Sequence, residues 1–151
     1  GTIMTTIRPM TAEDKPTITA LMRTFYASPA VLSNGSEEIF SADIDACVSE
    51  NPYLEGYIME GPEGLQGYAM VAKSFSTEFG KPCIWIEDLY MKEPYRRQGV
   101  GTELLKTAER WAKDNNVEVI LLNSGLQRVD AHAFYESQGY YKKSFGFIKR
   151  V

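Results

Sequence analysis

The feature that most constrains this chain is a short turn, Arg96-Arg97-Gln98-Gly99-Val100-Gly101. It follows Cys83 to Met91, a run dense in β-branched and aromatic side chains that predicts a central strand. From Gly99 onward, Val100, Leu104, Leu105, Ala108, Trp111 and Ala112 keep a helical period that stops at Asn115-Asn116, predicting an amphipathic helix of about four turns. Two glycines at the strand-to-helix junction let the backbone take restricted angles and come close to a ligand. The unpaired N–H groups of the first helical turn then point outward with the positive end of the dipole. Such a turn can cradle a pyrophosphate. Arg96 and Arg97 add positive charge beside it, and Pro94 sets the approach of the chain.

Two familiar phosphate motifs do not fit. A P-loop needs Lys and then Ser or Thr after its last glycine, whereas Thr102 follows Gly101 directly. A dinucleotide fingerprint needs a small residue where Leu104 stands, and a first strand not preceded by an antiparallel hairpin. Such a hairpin is expected here, from strands Tyr53 to Glu60 and Leu65 to Phe75 joined by Gly61-Pro62-Glu63-Gly64. Thr5 to Pro9 predicts a first strand. Thr11 and Asp14 are spaced to cap a helix carrying Ile18, Leu21, Met22 and Phe25, which ends near Ser28-Pro29. Ser36 is placed to cap a second helix with Ile39, Phe40, Ile44, Cys47 and Val48 inward, ended by Asn51-Pro52. The acids Glu37, Glu38, Asp43, Asp45 and Glu50 are read as its solvated face, with a cation-attracting rim as the alternative. Val117 to Leu122 predicts a short strand, Val129 to Gln138 a helix ended by Gly139, and Tyr140 to Lys149 a last strand. The order predicts an α/β (α+β) domain spanning 1–151: a mixed, mostly antiparallel sheet of about six to seven strands with helices on both faces.

Composition removes other classes. The 151 residues are 44% hydrophobic and 24% charged, enough for one core without disulfides or metals. Cys47 and Cys83 are the only cysteines and His132 the only histidine, which leaves no zinc or other metal framework. With no Gly-x-Ser-x-Gly elbow, a histidine-dependent hydrolase has no nucleophile to use. His132 itself is read as a packed or partly exposed side chain. The net charge of −4 is the wrong sign for a nucleic-acid partner and agrees better with a cationic small molecule. No apolar run of membrane-spanning length and no signal-peptide layout is present, so a cytoplasmic protein without a membrane partner is expected. The chain opens on Gly rather than Met, and Gly1 is expected to be a cloning remnant.

Ile86 to Leu105, including Glu87-Asp88-Leu89-Tyr90-Met91 and the Arg-x-x-Gly-x-Gly turn, resembles the signature strand, cradle and helix of the GNAT superfamily of acyl-CoA-dependent N-acetyltransferases. A second block, Ala131-His132-Ala133-Phe134-Tyr135-Glu136-Ser137-Gln138-Gly139-Tyr140, is similar to the superfamily's other signature. The resemblance covers about Ile7 to Phe147. It implies acetyl-CoA as co-substrate, held by Arg96, Arg97, Gln98, Gly99, Val100, Gly101 and Thr102. It also implies a signature strand that splays from its neighbour, so that N–H groups of Leu89, Tyr90 and Met91 contact the thioester carbonyl and pantetheine arm. Many relatives carry Asn where Arg128 stands, so that contact falls to Arg128 or Asn123.

Acetyl transfer to an amine needs a base and an acid. An alkylamine has a pKa of about 10.4, so a carboxylate must take its proton. Glu87 and Asp88 are the candidates. Strand alternation sends them to opposite faces unless a bulge intervenes; Glu87 is favoured as base and Asp88 is assigned to substrate. The resemblance places Tyr135 as the acid that protonates the departing thiolate, with Phe134 in the core. Trp85-Ile86-Glu87-Asp88-Leu89 is similar to the strand of diamine and polyamine acetyltransferases. A small cationic primary amine, polyamine-, aminoalkyl- or aminoglycoside-like, is therefore the expected acceptor, with Phe25, Tyr26, Phe40 and Tyr53 as pocket walls. A peptide N-acetyltransferase and a non-catalytic acyl-CoA-binding module are the alternatives. The resemblance also implies a homodimer.

Overall fold

The structure is a computed structural model that describes residues 5–29, 31 and 35–151. Gly1 lies outside the described residues. Strand β1 (Thr6–Pro9) is followed by a 3-10 turn at Ala12–Asp14, where the Thr11 N–H donates to Asp14 Oδ2 at 2.8 Å. Helix α1 (Lys15–Tyr26) begins there, with Pro16 in its first turn, where a missing N–H costs nothing. Helix α2 (Glu37–Val48) starts at Ser36, whose Oγ accepts the Ile39 N–H at 3.2 Å. Strands β2 (Leu54–Gly61), β3 (Gly64–Ser76) and β4 (Lys81–Met91) form an antiparallel meander. Helix α3 (Val100–Asp114) leads to β5 (Ile120–Leu122), which pairs in parallel with β4, and α4 (Val129–Ser137) follows.

The sheet order is β1-β2-β3-β4-β5. Alternation along the strands divides the core. Ile58, Tyr68 and Met70 pack against Ile18, Met22, Phe25, Phe40 and Ile44 of α1 and α2. Met59 and Ala69 turn the other way, onto Val100 and Leu104 of α3. Helices thus cover both faces, as expected. Each side chain fully buried here contributes about 1.5–3 kcal/mol relative to exposure.

The strand count corrects the expectation. Among the described residues the sheet has five strands, not six to seven, and the last predicted strand, 140–149, is not one. Neither alternate set of its side chains is continuously apolar: Lys143 and Lys149 interrupt one, and Lys142 and Arg150 the other. Phe145, Phe147 and Ile148 stay exposed. Ion pairs hold the segment instead, Lys142 to Glu136 and Lys143 to Glu78, with the Lys143 ammonium over the Phe79 ring. No helix among the described residues is long and apolar enough to cross a membrane.

Candidate active site

A register shift in β4 organises the site. Met70 of β3 stands opposite Asp88 and Val71 opposite Ile86, so Glu87 is an extra residue without a partner across the ladder. Strict alternation would separate Glu87 from Asp88. The bulge instead brings both to one cleft of about 600 Å³. The cleft lies between the sheet and α2, with Leu54, Met70 and Ala72 as its apolar floor and Asp43, Ala46 and Ser49 as one wall. Tyr26, at the end of α1, and Tyr53, after α2, also line it.

Asp88 is the electrostatic centre. The hydroxyl of Tyr68, a residue with no exposed surface, donates to Asp88 Oδ2 at 3.0 Å. Burial nevertheless dominates, and with the negative charges of Asp43 and Glu87 it pushes the Asp88 carboxyl up from 3.8 to about 6, against the hydrogen bonds from Tyr68 and Tyr26. Burial also raises Asp43, with Glu87 adding to the effect. Tyr26 is pushed up to about 12 by burial and by the facing carboxylates, so it stays a donor. Glu87 is exposed at the rim.

Other expected wall residues are placed differently. Phe25 is buried and stacks on Tyr90 at 4.8 Å between ring centroids, and Phe40 is buried against Tyr26 at 5.2 Å. Both support the cleft from within the core. Asp43 and Tyr68, by contrast, lie at the site although sequence reasoning gave them no role. A signal for each existed: Asp43 is three residues after Phe40 and four before Cys47, on the flank of the apolar stripe, and Tyr68 shares its strand face with Met70 and Ala72.

Pairing between β4 and β5 ends at Ile86 and Leu122, so from Glu87 to Met91 the strand β4 has a strand neighbour on one side only. The splay implied by the sequence resemblance would fall in this stretch. Beyond β4, Arg96 turns back: its Nε donates to the Met91 carbonyl at 2.9 Å and its guanidinium lies 5.3 Å from the Tyr90 ring centre. The Gln98 amide donates to the Pro94 carbonyl at 2.6 Å. Arg97 and Gly99 have φ of 63° and 84°, and Gly99 is the residue that caps α3. A left-handed residue followed by a right-handed one, Gly99 and then the helical Val100, curls successive N–H groups into a nest for an anion. With the dipole of α3 behind it, this backbone fits a pyrophosphate.

Asn123 is exposed just past β5, and Arg128, half-buried, caps α4. Between them Ser124 Oγ is buried without a hydrogen-bond partner among the described residues, a polar handle for a ligand with its own donors. Tyr135 on α4 is half-buried against Phe134 and Tyr140. Burial raises its hydroxyl and the Arg128 charge opposes the rise. His132 Nε2 lies 2.8 Å from the Gly125 carbonyl, tying α4 to the loop before it.

The cradle can be tested apart from chemistry. A Cβ at Gly101 would lie 3.5 Å from the Phe134 ring, an ordinary contact. Alanine there leaves the thermal stability of the free protein unchanged or raised, by up to about 1 kcal/mol. The stabilisation given by acetyl-CoA is expected to shrink because the methyl group sits on the first turn of α3, whose N–H groups are assigned to the pyrophosphate. Thermal unfolding with and without acetyl-CoA measures both; an undiminished shift places the cradle elsewhere.

Residues 19–140 match the acetyltransferase (GNAT) family model. An uncharacterised N-acetyltransferase of Bacillus subtilis is 32% identical over 115 residues, covering 76% of this chain and 80% of that one. The aminoalkylphosphonate N-acetyltransferase of Salmonella typhimurium is 38% identical over 66 residues, 44% of this chain and 43% of that enzyme. Among solved structures, a possible acetyltransferase from Clostridium difficile superimposes with a TM-score of 0.83 over 98% of this chain and 97% of that one, at 17% identity.

Proposed function

The chain belongs to the GNAT acetyltransferase family, enzymes that acetylate amines at the expense of acetyl-CoA, and from that premise we propose that its acceptor is a small cationic primary amine bound in the cleft beside Glu87 and Asp88. The observation that carries this reading is the bulge, which gathers Glu87 and Asp88 with Asp43 in one cleft whose lining residues include no Lys, Arg or His. An ammonium is the group that such a field concentrates. The Salmonella relative, named for an aminoalkylphosphonate, supports an amine on a short aliphatic carrier.

When bound, acetyl-CoA supplies the acetyl group as a reactive thioester. The N–H groups from Gly99 to Thr102, with Arg97 and Gln98, would hold its pyrophosphate. Leu89 and Met91 would offer main-chain groups on the open side of β4, Tyr90 sharing the β3-facing side with the Lys92 N–H that bonds Gln66, and Arg128, Asn123 and the Ser124 hydroxyl would contribute from the segment after β5. Asp88, rather than Glu87, takes the proton from the ammonium, because a carboxyl near 6 is ionised at neutral pH and still basic. Glu87, exposed at the rim, draws the cation in. As the new C–N bond replaces the C–S bond, Tyr135 would give its hydroxyl proton to the departing sulfur, and the second proton released by the acylated nitrogen would restore it by way of solvent.

The test is acetyl-CoA-dependent thiol release across alkylamines, diamines, aminoalkylphosphonates, aminoglycosides and short peptides. Turnover of small cationic amines well above that of peptides is the expected result. Equal turnover of neutral and cationic amines removes the electrostatic reading, and a peptide-only profile replaces it with peptide N-acetylation.

A further inference from the structure

Three acids of α2 have different fates. Glu37 pairs with Arg23 and Asp45 with Lys15. Among the described residues, no Lys, Arg or His nitrogen lies within ion-pairing distance of Asp43. The helix places it there for a packing reason: Phe40 and Ile44 enter the core, so Asp43, between them, is carried to the flank that forms the cleft wall. It is half-buried, and the charge that acts on it is another carboxylate, that of Glu87. A partly desolvated acid facing like charge is unfavourable in the free protein, and a bound cation relieves it.

If one ammonium only were to bind, its positive charge would be cancelled against Asp88 alone once its proton passes to that carboxylate. Two acids, Asp43 and Glu87, would remain without a counter-ion. The floor beside them is apolar, formed by Leu54, Met70 and Ala72, and Met70 to Ala72 is a step of about 7 Å along one face of β3. That strip suits methylene groups better than sugar hydroxyls, which would lose hydrogen bonds there.

We propose that Asp43 is a specificity residue: it selects amines that carry a second ammonium on a short methylene spacer, holding that charge with Glu87 while the acceptor nitrogen stands at Asp88. The inference rests on the acetyl-transfer reading above and adds to it a count of charges and the residue that does the counting.

Cadaverine and pentylamine have the same carbon chain and differ by one ammonium, so the ratio of their kcat/KM values isolates the second charge. The intact enzyme is expected to favour cadaverine by about tenfold or more, a preference that weakens as salt is added. Asp43→Asn lowers the ratio about tenfold and Asp43→Glu restores most of it. The acid limb of kcat/KM for pentylamine also moves to lower pH in Asp43→Asn, because one of the groups facing Asp88 has lost its charge. The others are Tyr26 from α1, Cys47 from α2, Tyr68 from β3 and the adjacent Glu87. A merely structural Asp43 would move neither the ratio nor the limb. An unchanged ratio in Asp43→Asn overturns the inference. So does a ratio of one or less in the unmodified enzyme, a measurement that stands even where the variant does not fold. Acetylation of neither amine overturns the cationic-amine reading and the inference with it, whereas acetylation of both without preference overturns the inference alone.

Discussion

Tyr135→Phe is expected to lower kcat by about 10²-fold or more while the affinity for acetyl-CoA changes by less than about twofold. The substitution removes one oxygen from a ring already held by its neighbours, since Tyr135 packs against Phe134 at 5.4 Å and edge-on to Tyr140 at 6.0 Å between centroids. Helix α4 therefore keeps its place. Burial keeps the hydroxyl protonated at neutral pH, the state in which an acid is useful. Arg128 pulls the other way and stabilises the phenolate left when the proton is given up. Uniform binding and transition-state stabilisation separate here: a residue that only shapes the binding surface would raise KM with kcat unchanged. Steady-state kinetics and calorimetric titration with acetyl-CoA together decide. Parallel loss of turnover and affinity removes Tyr135 from the acid's place.

Local signals were legible in the chain, and long-range ones were not. The cap at Ser36, the left-handed Gly99 and the amphipathic face of α3 are written within a few residues each, and the structure has all three. The bulge at Glu87 is a property of register: it exists because Met70 and Val71 of another strand meet Asp88 and Ile86, so no reading of β4 alone can place its side chains. Phe25 and Tyr26 show the same limit. Adjacent aromatics at a helix end both look suited to a pocket wall, and it is Tyr90, across the core, that takes Phe25 as a stacking partner and leaves Tyr26 at the cleft. Asp43 looked solvated because the chain does not say which flank of α2 faces the sheet. The segment after Gly139 has the aromatic content of a strand, but a strand needs one apolar face, and Lys142 and Lys143, being adjacent, interrupt both.

Asp88→Asn is expected to give a protein that is both more stable and nearly inactive. The Asp88 carboxyl is raised in the folded protein from 3.8 to about 6, so the folded state holds its proton more tightly than the unfolded chain does. The stability associated with that proton is fully present below about pH 4 and is lost as pH rises through about 6. At pH 8 the ionised group therefore costs the fold roughly 3 kcal/mol, which a neutral amide removes. The Tyr68 hydroxyl can still donate, now to the amide oxygen, so the geometry of β3 and β4 is kept. Activity moves the opposite way. Loss of a general base is worth about 10²–10⁴ in rate, and the acid limb of kcat/KM, near pH 6 in the unmodified enzyme, disappears with the group that produces it. Glu87→Gln is the counterpart: the limb persists, shifted to lower pH, and the principal loss is in KM for the cationic amine. Denaturant melts at pH 5 and pH 8, with pH–rate profiles of both variants, separate the roles. A limb that survives Asp88→Asn but vanishes in Glu87→Gln would exchange them and return the base to the exposed residue of the bulge.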